Sequence, residues 1–448
     1  MSVRGLRALL LACGSLGVMI AASPAANAGG FAIREQSTYG QGSSFAGIAA
    51  GGNLSGMFWN PAVMTQFAGI QSASTYTGIF GYASHTPSPG STFGVLGGAP
   101  NSGEASLVPG SYFSYQLNPN LWLGLSFNAP FGLSVTFPDA WAGRNYAGDT
   151  TLSTYNAVPT VAYRINDWLS VGGGVQIEYG HADLALGLPV NGFGLAAGSA
   201  SLGNRLDIEG NGWGYGFTAG VTLTPTPATT VGVGWRSAIN QKISGTLTLP
   251  IGPFFTPQFG STPGPASTTV DLPDIVTGSI RHRLDSQWTL LGTVEWSNWS
   301  RIGTATIFQS SGPPATAVGR PVALPLQYRD GWFFSAGAEY MWTDRTQLRA
   351  GVAYEITPVT DQVRTPVVPD NDRVWLSVGA SYNIWRGLTA NLGYSHLFVK
   401  DPSVNISAAS GNPWFNGVVT YIGSTSAHVD IISVGLDWRW DEVFAKSK

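Results

Sequence analysis

Charged residues are scarce in this chain of 448 residues, where they make up 10% against about 25% in an average protein. The mean hydropathy is nevertheless only +0.09, too low for a chain built from membrane helices. Aromatic residues reach 12%, and 59 glycines dilute the apolar content. This combination is typical of a transmembrane β-barrel, which is apolar outside and polar inside. Composition alone leaves a secreted soluble β protein as the alternative.

Cysteine is almost absent, since Cys13 is the only one. It lies in an N-terminal stretch with two arginines, Arg4 and Arg7, followed by the uncharged apolar run 8–22. Small residues flank a cleavage site after Ala28, so residues 1–28 are predicted to be a secretory signal peptide. Lipidation at Cys13 is the less favoured alternative. The mature chain then has no disulfide, and losing two arginines takes its net charge from −3 to −5, which argues against nucleic-acid binding.

The mature chain also lacks an uncharged apolar run of about 18 residues, the minimum for a membrane helix. A membrane-spanning chain without such helices must form a closed barrel. Apolar and polar residues alternate with period two in fourteen segments, for example at Val374, Leu376 and Val378. We therefore predict an all-β transmembrane fold, a fourteen-stranded antiparallel outer-membrane β-barrel. Its predicted strands are 70–83, 104–117, 121–137, 151–165, 168–185, 211–224, 229–249, 268–284, 288–308, 327–342, 346–356, 372–384, 388–398 and 427–440.

Connections between these segments alternate between short and long, as 118–120 against 84–103 illustrates. Short periplasmic turns and long external loops are the pattern of outer-membrane barrels. Tryptophans beside the short turns are expected to form an aromatic girdle at the periplasmic interface. They are Trp122, Trp168, Trp288, Trp342 and Trp385.

The stretch 29–67 precedes the first strand and lacks strand alternation. Asn60 is placed to cap a short helix that begins at Pro61. The stretch carries too many apolar side chains to be solvated comfortably, so a plug inside the barrel is favoured over a disordered tail.

The third predicted strand contains Ala129, Pro130, Phe131 and Gly132. Because proline has no N–H to donate to a β-ladder, a break or bulge is predicted here. In a closed barrel such a break leaves a gap between neighbouring strands. The alternative is a harmless bulge near the rim.

Two of the external loops are unusually apolar, at 186–203 and 250–264. Their side chains are predicted to form a groove where hydrophobic ligands first bind, although mutual packing as a lid is the alternative. The groove candidates are Leu188, Phe193, Leu195, Phe254, Phe255 and Phe259.

Several stretches, in order along the chain, resemble the FadL/TodX (OmpP1) family of outer-membrane transporters for long-chain fatty acids and other hydrophobic compounds. They include GGFAIREQSTYGQGSSFAG at the mature start, WNPA at 59–62, NAPFGLSVTFPDAWAGRNYAG at 128–148 and VEWSNWS at 294–300. The resemblance implies a signal peptide at 1–28, a hatch at 29–67, a barrel at 68–440 and a tail at 441–448. It makes Asn60, Pro61 and Ala62 the hatch motif, and it makes the strand-3 kink at Ala129, Pro130, Phe131 and Gly132 a lateral exit.

The resemblance also implies passive, hatch-gated uptake of a long-chain fatty acid or a hydrocarbon across the outer membrane of a Gram-negative bacterium. Arg329 lies where family members carry a basic-acidic pair, so it is a candidate for binding a carboxylate; a lumenal ion pair with Asp330 or another acid is an equal alternative. The stretch 183–188 lacks the basic residues that fatty-acid members tend to carry, which leaves room for uncharged hydrocarbons. Outer-membrane lipid and the barrel-assembly machinery are the expected partners, and a monomer is expected.

Nothing in the sequence favours an enzyme. The five histidines lie in no nucleophile motif, and no P-loop, GxSxG or HExxH occurs. We predict no catalytic residue, no metal site and no cofactor. A surface receptor or adhesin built on the same barrel is the remaining alternative class of function.

Overall fold

A computed structural model describes residues 29–187, 205–248, 264–309, 316–317 and 320–443. Within these ranges fourteen strands form one closed antiparallel barrel. They are β1 (Ile70–Pro87), β2 (Ala105–Asn118), β3 (Leu121–Asn128 and Gly132–Val135), β4 (Thr150–Arg164), β5 (Leu169–Gly187), β6 (Arg205–Thr226), β7 (Thr229–Arg236 and Ile239–Thr248), β8 (Gly264–Leu272 and Ile275–Arg283), β9 (Trp288–Ser297), β10 (Gly331–Thr343), β11 (Thr346–Ile356), β12 (Arg373–Trp385), β13 (Leu388–Val399) and β14 (Tyr421–Arg439).

Each strand pairs with its sequence neighbours, and β1 pairs with both β2 and β14. The closing seam runs from Gln71 opposite Arg439 to Pro87 opposite Gly423. Closure removes the unpaired edges that an open sheet would expose. The predicted fourteen-stranded barrel is therefore confirmed. No helix in the described ranges is long and apolar enough to cross a membrane.

The two faces of the strands follow the predicted alternation. On β12, Leu376 and Val378 point outward and are exposed, whereas Trp375 and Ser377 are buried on the inner face. Trp168, Trp288, Trp342 and Trp385 are 43–63% exposed, as a girdle requires.

The prediction is wrong for Trp122, which is fully buried. Its Nε1 donates a hydrogen bond of 2.8 Å to the Phe67 carbonyl, and Arg164 lies over its ring at 4.9 Å. Trp122 therefore packs inside the barrel instead of facing the interface.

Residues 29–67, called the N-terminal segment below, lie inside the barrel. The segment contains one α-helical turn, α1 (Thr38–Gln41), and 3-10 helices at Ile48–Ala50, Leu54–Phe58 and Pro61–Gln66. Its apolar side chains join inward-facing residues of the barrel in one buried cluster.

Side-chain caps explain why the segment forms short helical turns. Asn53 accepts from the Ser55 N–H, and Asn60 accepts from the Ala62 N–H at 3.0 Å. Pro61 occupies the first helical position, where no N–H is needed. Asn60 therefore acts as the cap that its place before Pro61 predicts.

The remaining described elements lie in the connections and at the C-terminus. Short strands are Thr304–Thr306, Phe308–Gln309, Thr316–Ala317, Arg320–Pro321, Ala323–Pro325 and Ser403–Ile406; 3-10 turns are Gly94–Leu96 and Trp299–Ile302. After β14 the chain forms one helical turn, α2 (Trp440–Val443), and Trp440 Nε1 donates to Ser72 Oγ at 3.0 Å.

Candidate functional site

An apolar cavity of about 160 Å³ lies inside the barrel near the external ends of β4 to β8. Its wall comes from these strands, from the second half of β3 and from four of the long connections. The lining includes Phe31 from the N-terminal segment and Leu133 from the second half of β3. Further apolar lining residues are Leu152, Leu184, Ile208, Ile243, Val270, Leu272, Leu326, Val367, Val368 and Trp414.

The polar groups of this cavity are mainly uncharged. Thr154, Gln241 and Thr268 are uncharged polar residues of the lining, and Asp183 is the one acidic residue in its described part. No Lys, Arg or His occurs among the described side chains of the lining. The described lining therefore offers no cation that could pair with a buried anionic group.

The break in β3 spans Ala129 to Phe131. The first half of the strand pairs with both β2 and β4, whereas the second half pairs with β4 alone. The second half meets the chain before β2 at an isolated bridge from Gly103 to Val135 and at Glu104, which accepts from the Ser134 hydroxyl at 2.7 Å. The sequence correctly placed this interruption, because proline cannot donate to the ladder. The β-ladder is therefore interrupted between β2 and the second half of β3, and this interruption is called the gap below.

The N-terminal segment supplies the missing hydrogen bonds at this gap. The Ile33 N–H donates to the Pro130 carbonyl at 2.8 Å, and the Gly132 N–H donates to the Phe31 carbonyl at 2.9 Å. Gln36 Nε2 adds a bond of 2.7 Å to the Ala129 carbonyl. Displacing the segment would therefore leave the broken edge of β3 without these partners.

Buried charges hold the start of the segment in place. Arg34 contacts Glu295 at 2.5 Å and Glu355 at 3.4 Å, and its guanidinium lies 3.8 Å above the Phe333 ring. The neighbouring Glu35 is fully buried, and burial raises its pKa to about 7. The segment thus carries one paired cation and one carboxyl group that favours the neutral form.

Glycines on the inner faces of β5, β6 and β7 allow the segment to approach the wall. A Cβ atom at Gly220 would lie 2.0 Å from Asn60 Oδ1, and one at Gly234 would lie 1.8 Å from the Trp59 carbonyl oxygen. Asn60 Nδ2 donates to the Val221 carbonyl on β6 at 2.9 Å. Sequence reasoning missed this glycine seam, although glycine at alternate strand positions marks the close approach of another backbone.

The other predicted site residues are placed as follows. The groove candidates Leu188, Phe193, Leu195, Phe254, Phe255 and Phe259 lie outside the described residues. Arg329 does not line the cavity. Its side chain is half exposed, donates to the Thr357 carbonyl at 3.0 Å and lies 3.9 Å from Asp372. Asp330 accepts instead from Trp296 Nε1 at 3.0 Å.

The described residues contain no group of three His, Cys, Asp or Glu side chains that could hold a metal ion.

Comparisons with known proteins agree with this architecture. The family model described as "Outer membrane protein transport protein (OMPP1/FadL/TodX)" matches residues 19–440. The long-chain fatty acid transport protein of Escherichia coli K12 is 25% identical over 428 residues, covering 87% of this chain and 93% of its own length. Outer membrane protein P1 of Haemophilus influenzae Rd is 26% identical over 419 residues, covering 85% of this chain and 88% of its own.

Solved structures show the same fold. A FadL homologue from Pseudomonas aeruginosa superposes with a TM-score of 0.80 at 22% identity, covering 92% of this chain and all of that one. The toluene transporter TbuX of Ralstonia pickettii gives a TM-score of 0.63 at 17% identity, covering 91% and 100%. The members of this family are transport channels of the Gram-negative outer membrane and not enzymes. The chain therefore belongs to the OmpP1/FadL/TodX family of outer-membrane transport proteins.

Proposed function

We propose that this protein takes up hydrophobic molecules across the outer membrane by passive diffusion through its barrel, with the N-terminal segment as a hatch. One observation carries the proposal: the apolar cavity touches both Phe31 of the segment and Leu133 beside the break in β3. A ligand in the cavity therefore contacts both parts that would have to move for it to leave. The partitioning of the ligand supplies the driving force, since the sequence has no nucleotide-binding motif.

We further propose that uncharged ligands are preferred. The curated relatives include fatty acid transport proteins, and the solved relatives include toluene transporters. The described cavity, at about 160 Å³, is comparable to an engineered cavity of about 150 Å³ that binds benzene. Its described lining offers no cation to a carboxylate, so the toluene-like class fits it better than a free fatty acid does.

Filling the cavity tests the transport function. Ala182→Trp places a large ring in the lining, whereas Ala219→Trp adds the same ring on the exposed outer face of β6. We expect Ala182→Trp to abolish uptake of labelled toluene and oleate by cells and Ala219→Trp to leave uptake unchanged. If cells with and without the gene take up both compounds equally, the protein is not a transporter of this kind, and a receptor or adhesin function is favoured instead.

The charge preference is tested with two ligands of the same chain length. Octanol should bind the purified protein at least about tenfold more tightly than octanoate at pH 8, because the lining lacks a countercharge. At pH 4, where about half or more of the acid is neutral, the difference should shrink. Equal or tighter binding of octanoate at pH 8 would contradict the preference and would favour a cationic site such as the one predicted at Arg329.

The route out of the barrel follows from the hatch contacts. Ligand entry would displace Phe31, which is bonded to Gly132, and would thereby free the edge of β3 next to the gap. We propose that the ligand then leaves sideways through the gap at Ala129–Gly132 into the membrane. Insertion by the barrel-assembly machinery and the monomeric state stay predictions.

A further inference from the structure

The backbone nitrogen atoms at the start of the N-terminal segment lie close to buried carboxylates. The Gly29 nitrogen is buried and lies 3.1 Å from Glu355 Oε1. The Gly30 nitrogen lies 2.8 Å from Asp370 Oδ2. The very start of the N-terminal segment is therefore held by two acidic side chains, one on β11 and one on the connection that follows it.

These carboxylates belong to a buried set of five charges, called the N-terminal charge network: Arg34, Glu295, Glu355, Asp370 and Arg373. Each of the five side chains is at most 9% exposed. Two cations face three anions, so the network carries one uncompensated negative charge. A buried charge without a partner is strongly unfavourable, so the arrangement calls for one more cation.

The other charged groups near the network have partners of their own. Buried Arg236 interacts with Glu295, but it interacts more strongly with Glu178 and donates to the Phe58 carbonyl at 3.1 Å. Arg364 donates from Nε to the Asp370 carbonyl and is paired with Asp361. Glu35 adds a carboxyl group that burial keeps largely protonated below its pKa of about 7. Half-exposed Arg329 lies 3.9 Å from Asp372 and donates to the Thr357 carbonyl.

We propose that the missing cation is the α-ammonium group of Gly29, created when the signal peptide is removed, and that it binds Glu355 and completes the network. Hydrolysis of the Ala28–Gly29 amide by a signal peptidase adds water across the bond: Ala28 leaves as a carboxylate, and the Gly29 amine takes up a proton. An α-amino group has an ordinary pKa of about 7.7–8.0 and gains stability as a cation beside a carboxylate. Cleavage after Ala28 is itself predicted from the sequence, so the proposal depends on it.

The residue type at position 29 fits this role. A Cβ atom at Gly29 would lie 2.6 Å from Glu355 Oε1, so a larger residue would push the carboxylate away from the nitrogen. The anchoring also has a structural consequence. Fixing Gly29 and Gly30 fixes Phe31, whose carbonyl accepts from Gly132 at the gap in β3. The ion pair forms whether or not the segment moves during transport, so its test is independent of uptake.

The test measures the reactivity of the N-terminal amine. N-terminal sequencing of the purified protein should first give Gly29 as residue one. Reductive methylation at pH 7.5, followed by peptide mass spectrometry, then compares the folded protein in detergent with the denatured protein, and exposed Lys400 serves as an internal reference. Only the neutral amine reacts, so an ion pair that raises its pKa by about one unit or more slows the reaction about tenfold or more.

Two variants make the result specific to Glu355. Glu355→Gln should restore most of the reactivity, whereas Glu178→Gln, which alters another buried glutamate bonded to Asn156, should not. In case Glu355→Gln fails to fold, inserting one serine after Ala28 moves the amine by about 3.5 Å and should also restore reactivity. A different N-terminal residue, or an amine that reacts equally fast in the folded protein, the denatured protein and both variants, would overturn the proposal.

Discussion

Replacing Gly234 by alanine should loosen the N-terminal segment without unfolding the barrel. The new Cβ atom would lie 1.8 Å from the Trp59 carbonyl oxygen, so the segment must retreat by about 1.6 Å to reach ordinary contact. Asn60 Nδ2 bonds the Val221 carbonyl at 2.9 Å and the Ala49 carbonyl at 2.7 Å. A retreat of that size breaks the hydrogen bond between Asn60 and Val221, because the distance between the two atoms then lies well beyond hydrogen-bond range.

The free energy lost by the docked segment follows from the buried polar groups that lose their hydrogen-bond partners. Leaving a buried donor and acceptor unsatisfied costs about 1–3 kcal/mol. A loss of about 2 kcal/mol raises the fraction of molecules with a displaced segment about 30-fold. The assay is the conductance of single barrels in a planar bilayer, where Gly234→Ala should show open events far more often than the natural protein.

The matched control is Gly278→Ala on the neighbouring strand β8. A Cβ atom there would find its nearest heavy atom, the Val294 carbonyl oxygen, at 3.9 Å, which is ordinary contact. Both variants should give the circular dichroism of an intact barrel. If Gly234→Ala conducts no more than Gly278→Ala while both are folded, the idea that this close approach holds the segment is refuted.

Three further predictions concern the N-terminal segment and the break in β3. Deleting residues 29–67 should raise conductance more than any point substitution; unchanged conductance would mean that the segment does not close the passage. Pro130→Val restores an N–H at the break and should reduce uptake, whereas Pro159→Val on the exposed face of β4 should not; equal uptake would count against lateral exit. Burial raises the pKa of Glu35 from its ordinary 4.5 to about 7, so the docked segment favours the neutral acid and docking weakens as pH rises through this range. After correction for the intrinsic rise of amide exchange with pH, amides of the segment should be less protected at pH 8 than at pH 5, and Glu35→Gln should abolish that difference in protection.

The barrel could be predicted because its signals are local. Side chains alternate with period two along every strand, and a polar lumen under an apolar outer face makes that alternation visible in the sequence. Pro130 and Asn60 likewise act on their own backbone, one by lacking a donor and the other by capping the next turn. The strands, the break in β3 and the short helical turns therefore follow from neighbours in the chain.

Sequence patterns did not predict the position of a side chain that fits both the membrane interface and the barrel interior. Both Trp122 and Trp168 stand beside a short turn in the sequence, but Trp122 faces inward, where its indole donates to the Phe67 carbonyl of the segment. The cavity, similarly, is lined by six strands, four connections and the N-terminal segment, so no single stretch of sequence predicts it.

The strands, the apolar N-terminal segment and the proline break could be read from the sequence, since each depends on residues near one another in the chain. The closing seam, which pairs Gln71 with Arg439, and the docking position of the segment depend on the tertiary structure. It brought Gly29 to Glu355, Phe31 to Gly132 and Trp59 to Gly234, pairs separated by about 100 to more than 300 positions. Such contacts form only in the closed barrel, because closure brings the inner faces of distant strands to the same part of the segment.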